Sequence, residues 1–346
     1  MIATAPVGAR EGPRRRRRLS GFLAGLAVLA LLCLASLTFG SRSLPLDAVL
    51  DAILAHDAHD DRHLIVWSLR LPRTAVALLA GLALGVAGAV MQAVTRNPLA
   101  EPGLLGVNAG SGVAVVVGVS VFGTTTMAGY VWYGIAGAGL AGVAVFLLGR
   151  AHETGTNPVR LVLAGAGLSV MLGAITGIVL INAPLSVLDN FRNWAAGSVA
   201  GRGFDIAGIL AIATVLGLAT AFSIAGSLNT IALGEDLGKA LGLDIRLTLA
   251  LACLSVMLLA GAATAAAGPI GFVGLVAPHL ARTITGPDYR WVLPYSALFA
   301  AILLLGADCL GRMIAAPEEI AAGIVTALAG GPFFILIVRR FRLKQL

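Results

Sequence analysis

Apolar runs long enough to cross a bilayer follow one another along almost the whole chain. A helix needs roughly 20 apolar residues to traverse the hydrocarbon core. Runs of about that length occupy 19–39, 74–94, 103–122, 127–149, 158–183, 206–228, 247–267, 293–316 and 320–338, and a shorter one lies at 269–281. That makes about ten spans and predicts an all-α, polytopic membrane protein. Composition agrees: 58% of the 346 residues are hydrophobic and 12% are charged. A soluble domain typically carries about 25% charged residues to cover itself.

The net charge is +7, but the cations sit at the ends of apolar segments, where Lys and Arg encode topology by staying cytoplasmic. No basic groove with interleaved aromatics accompanies them, so nucleic acid is excluded as a partner. Residues 1–18 read as a basic cytoplasmic tail ending in the run Arg14 to Arg18. The apolar run that follows is long for a signal peptide and reads as a retained first helix. The transmembrane domain then covers 19–340, and 341–346 form a second basic cytoplasmic tail with Arg342 and Lys344. Two cytoplasmic termini require an even number of crossings. In that topology Arg96, Arg150, Lys239, Arg246, Arg282 and Arg290 fall in cytoplasmic loops. Asp47, Asp51, Asp57, Asp60, Asp61, Glu318 and Glu319 fall outside. Arg70, Arg73, Arg192, Arg202 and Arg312 also fall outside, against the rule.

The chain has 44 glycines, many within spans. Gly81 with Gly85, and Gly134, Ala138 and Gly142, repeat the small-residue spacing that lets helix backbones approach closely in lipid. Gly103 to Val107 after Pro102, and Gly271 to Leu275 after Pro269, are weakly alike, as inverted transporter repeats can be. Cys33, Cys253 and Cys309 lie in separate apolar stretches, with no spacing for zinc or a disulfide framework. His56, His59 and His63 would share one face of a helix and could hold a metal there; the alternative is a solvated polar loop.

Chemistry is sparse. No phosphate-cradling G-x-x-x-x-G-K-[ST] loop occurs, so this chain binds no ATP by itself. No nucleophile–base pair, paired carboxylates or HExxH motif points to an enzyme. The spans carry almost no acid at mid-depth, where an ion-coupled secondary carrier would bind its ion. Asp308, near a span end beside Arg312, is the nearest candidate. Energy for transport is therefore expected from another chain.

Four ordered stretches resemble the FecCD family of ABC importer permeases, which serve iron siderophores, haem and vitamin B12. They are Arg70-Leu71-Pro72-Arg73-Thr74 running through Arg96-Asn97-Pro98-Leu99-Ala100 to Gly106-Val107; Asn193-Trp194-Ala195-Ala196-Gly197-Ser198; Gly268 to Leu275 continuing to Pro278-His279 and Arg282; and Ala307-Asp308, Arg312, Gly323 and Gly331-Pro332. Residues 70–110 most resemble the ferric-enterobactin type. The resemblance implies the ABC type II importer permease fold. It also implies a second permease subunit, related or identical, two cytoplasmic ATPases that hold ATP and Mg, and an external substrate-binding protein. This chain would bind no cofactor or metal.

The resemblance implies roles for particular residues too. Arg70, Arg73 and Arg312 match arginines that meet acidic residues of the binding protein in the similar vitamin B12 importer. Arg pairs bidentately with carboxylate, which suits that role; without the resemblance, Arg70 and Arg73 read as snorkelling helix-end residues. The segment 233–243, with Gly234, Glu235, Gly238, Leu241 and Gly242, matches two short helices that fit a groove on the ATPase. Gly238 and Gly242 are expected to allow its tight turn and close approach. The family's cytoplasmic gate falls near Thr156, Asn157 and Pro158, a segment that matches the family pattern at only some positions. The function implied is import of a ferric siderophore across the bacterial cytoplasmic (inner) membrane, with haem or vitamin B12 as alternatives. Arg192 and Arg202 add positive charge at the outer mouth, which favours an anionic ligand.

Overall fold

The computed structural model describes residues 11–40, 43–124, 126–149 and 158–342, and every element within them is helical. In chain order the helices are α1 (Glu11–Thr38), α2 (Leu46–Leu54), α3 (Asp61–Ile65), α4 (Leu71–Val94), α5 (Val107–Phe122), α6 (Met127–Gly149), α7 (Pro158–Asn182), α8 (Leu185–Ala195), α9 (Phe204–Ser223), α10 (Ala225–Ala232), α11 (Glu235–Ala240), α12 (Ile245–Ala267), α13 (Val273–Thr285), α14 (Tyr289–Ile314) and α15 (Ala322–Arg342). Seven helices are long and apolar enough to cross a membrane, and two shorter apolar helices, Val107–Phe122 and Ala322–Ile337, join them. With α13, which is not among these candidates, ten helices stand near the ten apolar runs. The chain is a multi-pass membrane protein.

The core is built around α4, which packs against α14, α12, α13 and α9. The most apolar window of α4 is 78% buried, against 17% for α1 and 11% for α7; α4 is central and those two are peripheral. Small residues make this possible. A Cβ on Gly81 would meet the Ala301 Cα at 2.7 Å, and one on Gly85 would collide with the Ser296 carbonyl. The spacing on α6 works similarly against α12: a Cβ on Gly134 would lie 2.7 Å from the Ala265 Cβ. In lipid such close packing replaces the hydrophobic effect as the force between helices. Gly88 on α4 also meets the Gly274 backbone of α13 directly, a contact that no spacing within one helix announces.

Boundaries differ from the sequence reading at four places. The arginines of the supposed tail are already helical, since α1 begins at Glu11. Arg is a good helix former, and Arg18 is held by the Thr285 carbonyl at 2.5 Å and lies over the Trp291 ring. The span at 103–122 opens with a 3-10 turn, Pro102–Leu105, before a left-handed Gly106 starts α5. The run 206–228 is two helices, because Ile224 leaves helical geometry between α9 and α10. The short span is displaced to Val273–Thr285, after Phe272 in a left-handed conformation. At 13 residues it spans about 20 Å, short of the roughly 30 Å hydrocarbon core. The two weakly similar segments therefore share a feature: each turns through a left-handed residue into a helix.

The helices run alternately between two faces. One face gathers the C-termini of α1 and α14, the N-terminus of α4, and α2, α3 and α8. The other gathers α10, α11, the start of α1 and the end of α13.

Candidate functional site

The sequence-predicted arginines meet where α1 ends. The last four carbonyls of a helix have no partner within it, and unsatisfied backbone is costly at membrane depth. Arg70 and Arg312 supply donors there. Arg70 Nη1 donates to the Leu37 and Thr38 carbonyls at 2.5 and 2.8 Å. Arg312 Nη1 donates to the Ser36 and Phe39 carbonyls, both at 3.0 Å, and its Nη2 to Ser36 Oγ at 2.8 Å. Both arginines are buried, at 6% and 2% exposure. They are not an open rim: they fasten α1 to α4 and α14.

Arg73 is engaged differently. Its Nε and Nη2 embrace Asp308, with Nη2 at 2.8 Å from Oδ1, and its Nη1 reaches Glu319 at 2.6 Å. Asp308 is 1% exposed and also pairs with Arg312, four residues on in α14, at 3.0 Å. A buried carboxylate survives by being shared between two guanidinium groups. Glu319 comes from the turn between α14 and α15 and is the reachable member of the set.

These groups border a cavity of about 490 Å³ lined by Arg70, Arg73, Arg202 and Arg312 with Glu319. A second cavity of about 540 Å³ adjoins it and shares Arg73, Arg202 and Glu319. With Asp308 beneath, four guanidinium groups face two carboxylates, so the cavity is electropositive. Sequence reasoning grouped Arg192 with Arg202 as surface charge. Arg192 is exposed, whereas Arg202 is 4% exposed. Its Nε donates to the Ala266 carbonyl at 2.7 Å, and burial pushes its guanidinium down to about 10.

Motif stretches far apart in sequence converge on this face. Gly323 donates its N–H to the Gly197 carbonyl at 2.8 Å, and Trp194 Nε1 donates to Ala265 at 3.4 Å. Gly197 has a φ of +72°, a left-handed conformation that glycine adopts without cost. The Asn193–Ser198 stretch is thus a packed corner that positions the 198–203 loop over the cavities.

At the opposite face, the 233–243 segment contains one short helix, α11, and the other short helix, α10, ends just before it at Ala232. Leu233, Leu237 and Leu241 are exposed at 70%, 46% and 67%, leaving apolar surface beside Lys239. The glycine assignment changes here. Gly234 (φ +120°) and Gly242 (φ +77°) hold the positive-φ positions, while Gly238 is helical within α11. Gly242 caps α11, with Leu243 N donating to the Gly238 carbonyl at 3.0 Å, the αL stop that ends many helices. Gly238 is buried against Ile245 and Leu243. Glu235 opens α11; its side chain lies outside the described residues. Of the gate residues, Thr156 and Asn157 lie outside the described residues and Pro158 is the first residue of α7.

The three histidines do not share a helix. His56 and His59 lie in the turn between α2 and α3, and His63 lies in α3. His63 is 4% exposed, accepts the Asp57 N–H at Nδ1 (3.0 Å) and sits 3.4 Å from Asp51. Asp60 caps α3, and hydrogen bonds from Arg62 hold its carboxyl below the usual range. Among the described residues no group of three or more His, Cys, Asp and Glu is arranged to hold a metal ion.

Residues 28–340 match the FecCD transport family. The chain belongs to that family. This FecCD chain is 42% identical over 318 residues to the ferric enterobactin transport system permease protein FepD of Escherichia coli (strain K12), covering 91% of this chain and 94% of that protein. It is 40% identical over 320 residues to the iron(3+)-hydroxamate import system permease protein FhuB of Bacillus subtilis (strain 168), covering 92% and 83%. The hemin transport system permease protein HmuU of Yersinia pestis is 36% identical over 342 residues, covering 96% and 98%. Among solved structures, a metal-chelate type ABC transporter in an inward-facing conformation superposes with a TM-score of 0.81 at 27% identity, over 93% of this chain and 99% of that one. The FecCD fold expected from the motifs is the fold observed.

Proposed function

We propose that this chain is the transmembrane permease subunit of an ABC importer that carries a ferric siderophore across the bacterial cytoplasmic membrane. The observation that carries the reading is its identity of 40% and 42%, over more than nine-tenths of the chain, to permeases named for iron–hydroxamate and ferric enterobactin. The arginine-lined face is external and both termini are cytoplasmic. This orientation puts the basic starts and ends of α1 and α15 inside, as topology requires.

Each partner has a surface that suits it. The external binding protein docks over the arginine cavities, where an acidic side chain can pair with Arg73 while Arg70 and Arg312 hold the surrounding helix ends. The ATPase, which holds ATP and Mg, receives α10 and α11 through the leucines they expose. A second permease subunit covers α7, whose Gly167, Gly173 and Gly177 face open space. Hydrolysis on the ATPase then rocks the helices and alternates access. This chain performs no covalent chemistry.

The test is uptake of radio-iron as ferric siderophore, ferric citrate or haem, and of labelled cobalamin, in cells with and without the gene. Loss of ferric siderophore uptake is expected. Loss of haem uptake alone would favour the activity named for the hemin permease relative, and loss of cobalamin uptake alone would overturn the iron reading.

A further inference from the structure

Arg202 stands apart from the other guanidinium groups of the external face. Arg70 donates to backbone carbonyls, Arg312 to carbonyls, Ser36 Oγ and Asp308, and Arg73 to Asp308 and Glu319. Among the described residues Arg202 makes one hydrogen bond, from Nε to the Ala266 carbonyl. Among the described residues its two Nη groups have no acceptor and no carboxylate pairs with it. Neither Nη is sealed from solvent, and Arg202 lines both cavities. A cation held at 4% exposure without a counter-charge is costly. Such a group is satisfied by water, an ion or another ligand that reaches the cavity.

Two of its neighbours are neutral donors, and the carboxylate that shares its cavities, Glu319, is already held by Arg73 at 2.6 Å. Asn193 and Ser198 line the second cavity with it. Ser198 Oγ accepts the Ala200 N–H at 3.1 Å, which leaves its own O–H free to donate. The Asn193 side-chain amide makes no hydrogen bond among the described residues. A forked guanidinium, an amide and a hydroxyl around one opening form a set suited to oxyanions.

We propose that Arg202, flanked by Asn193 and Ser198, is an oxyanion-binding site that takes hold of the anionic ferric chelate as it leaves the binding protein. The proposal rests on the siderophore reading above and assigns the ligand's charge class. Iron(III) held by three catecholates carries three negative charges, whereas iron(III) held by three hydroxamates is neutral. Arg202 should therefore sort chelates by charge.

The experiment uses proteoliposomes holding the whole importer, with its binding protein inside the assay, and radio-iron supplied as a tricatecholate or a trihydroxamate complex. Arg202→Gln is expected to raise KM for the tricatecholate about tenfold, the scale of one lost charge-assisted bond. KM for the trihydroxamate and the affinity for the binding protein should stay unchanged, and Arg202→Lys should restore most of the lost affinity. If the wild-type protein carries only the tricatecholate, the KM shift and the Lys rescue decide. An equal loss for both chelates, an unchanged tricatecholate KM, or a fall in binding-protein affinity would overturn the proposal, as would wild-type import of the neutral complex alone. Failure of the wild-type protein to import either chelate would instead reject the siderophore reading itself, and this site with it.

Discussion

Arg312 and Arg73 both pair with Asp308, yet they do different work. Arg312 gives its whole fork to the interior, to the end of α1 and to Asp308. Arg73 keeps one arm on Glu319, which is 30% exposed and so exchangeable. Arg312 also donates to the Ser36 and Phe39 carbonyls at the end of α1, and a buried acceptor left without its donor costs about 1–3 kcal/mol. Arg312→Gln, which leaves Asp308 paired with Arg73, is therefore expected to lower stability by about that much for each carbonyl uncapped, read as an earlier thermal unfolding transition of the purified permease. Arg73→Gln leaves α1 capped, and Asp308 keeps Arg312. It should unfold closer to the wild type and instead weaken association with the binding protein in nanodiscs. If Arg312→Gln unfolds like the wild type, the carbonyl-capping account fails; if Arg73→Gln binds normally, the docking assignment fails.

Among elements, the contacts between α4 and its neighbours depend on where a side chain is missing. Gly88 abuts the Gly274 backbone, which cannot rotate out of the way as a side chain can. Gly88→Ala should destabilise by about 1–3 kcal/mol through overpacking. Gly208 in α9 has nothing within 4 Å, and Gly208→Ala should be neutral or stabilise by up to about 1 kcal/mol through helix propensity. Equal melting shifts for the two variants would contradict this packing. The coupling segment yields a parallel pair. An alanine Cβ at Gly238 meets Ile245, Leu243 and Thr230 no closer than 3.7 Å, so it fits, whereas Trp must push α11 away from α12. Gly238→Trp should raise the number of ATP molecules hydrolysed per iron imported, and Gly238→Ala should not. Normal coupling in Gly238→Trp, with its ATPase still co-purifying, would remove this segment from the coupling role.

The same contacts explain what could be read from the chain beforehand. Apolar runs located the crossings because lipid demands uniform apolarity over a set length. They missed the break at Ile224, since apolarity does not distinguish one helix from two in line. The burial of Arg202 and Arg70 was also hidden. Both read as loop or helix-end charge, and only the fold brings Ala266 and the end of α1 against them. The choice of Gly234 over Gly238 for the turn rests on a φ angle that spacing does not record.

For the whole molecule, the decisive question is where the energy for transport enters. Ion-coupled carriers place ionisable groups at mid-depth to bind the driving ion. In the described membrane helices the carboxylates sit at the ends: Asp205 opens α9, while Asp244 and Asp288 cap α12 and α14. Asp308 is the exception within a helix, and it is clamped between Arg73 and Arg312 at 2.8 and 3.0 Å. A carboxylate neutralised by two fixed cations has little to offer a proton or sodium ion. The opposite face presents two short helices with exposed Leu233, Leu237 and Leu241, the surface proposed above for the ATPase. Uptake in energised vesicles should therefore stop with vanadate or with ATP depletion, and should persist when a protonophore collapses the proton gradient while ATP is maintained. Asp308→Asn should lower the melting temperature without changing the response to the protonophore. Vanadate-resistant uptake that the protonophore abolishes would mean that Asp308, despite its two arginines, is a coupling site and that the chain works as a secondary carrier.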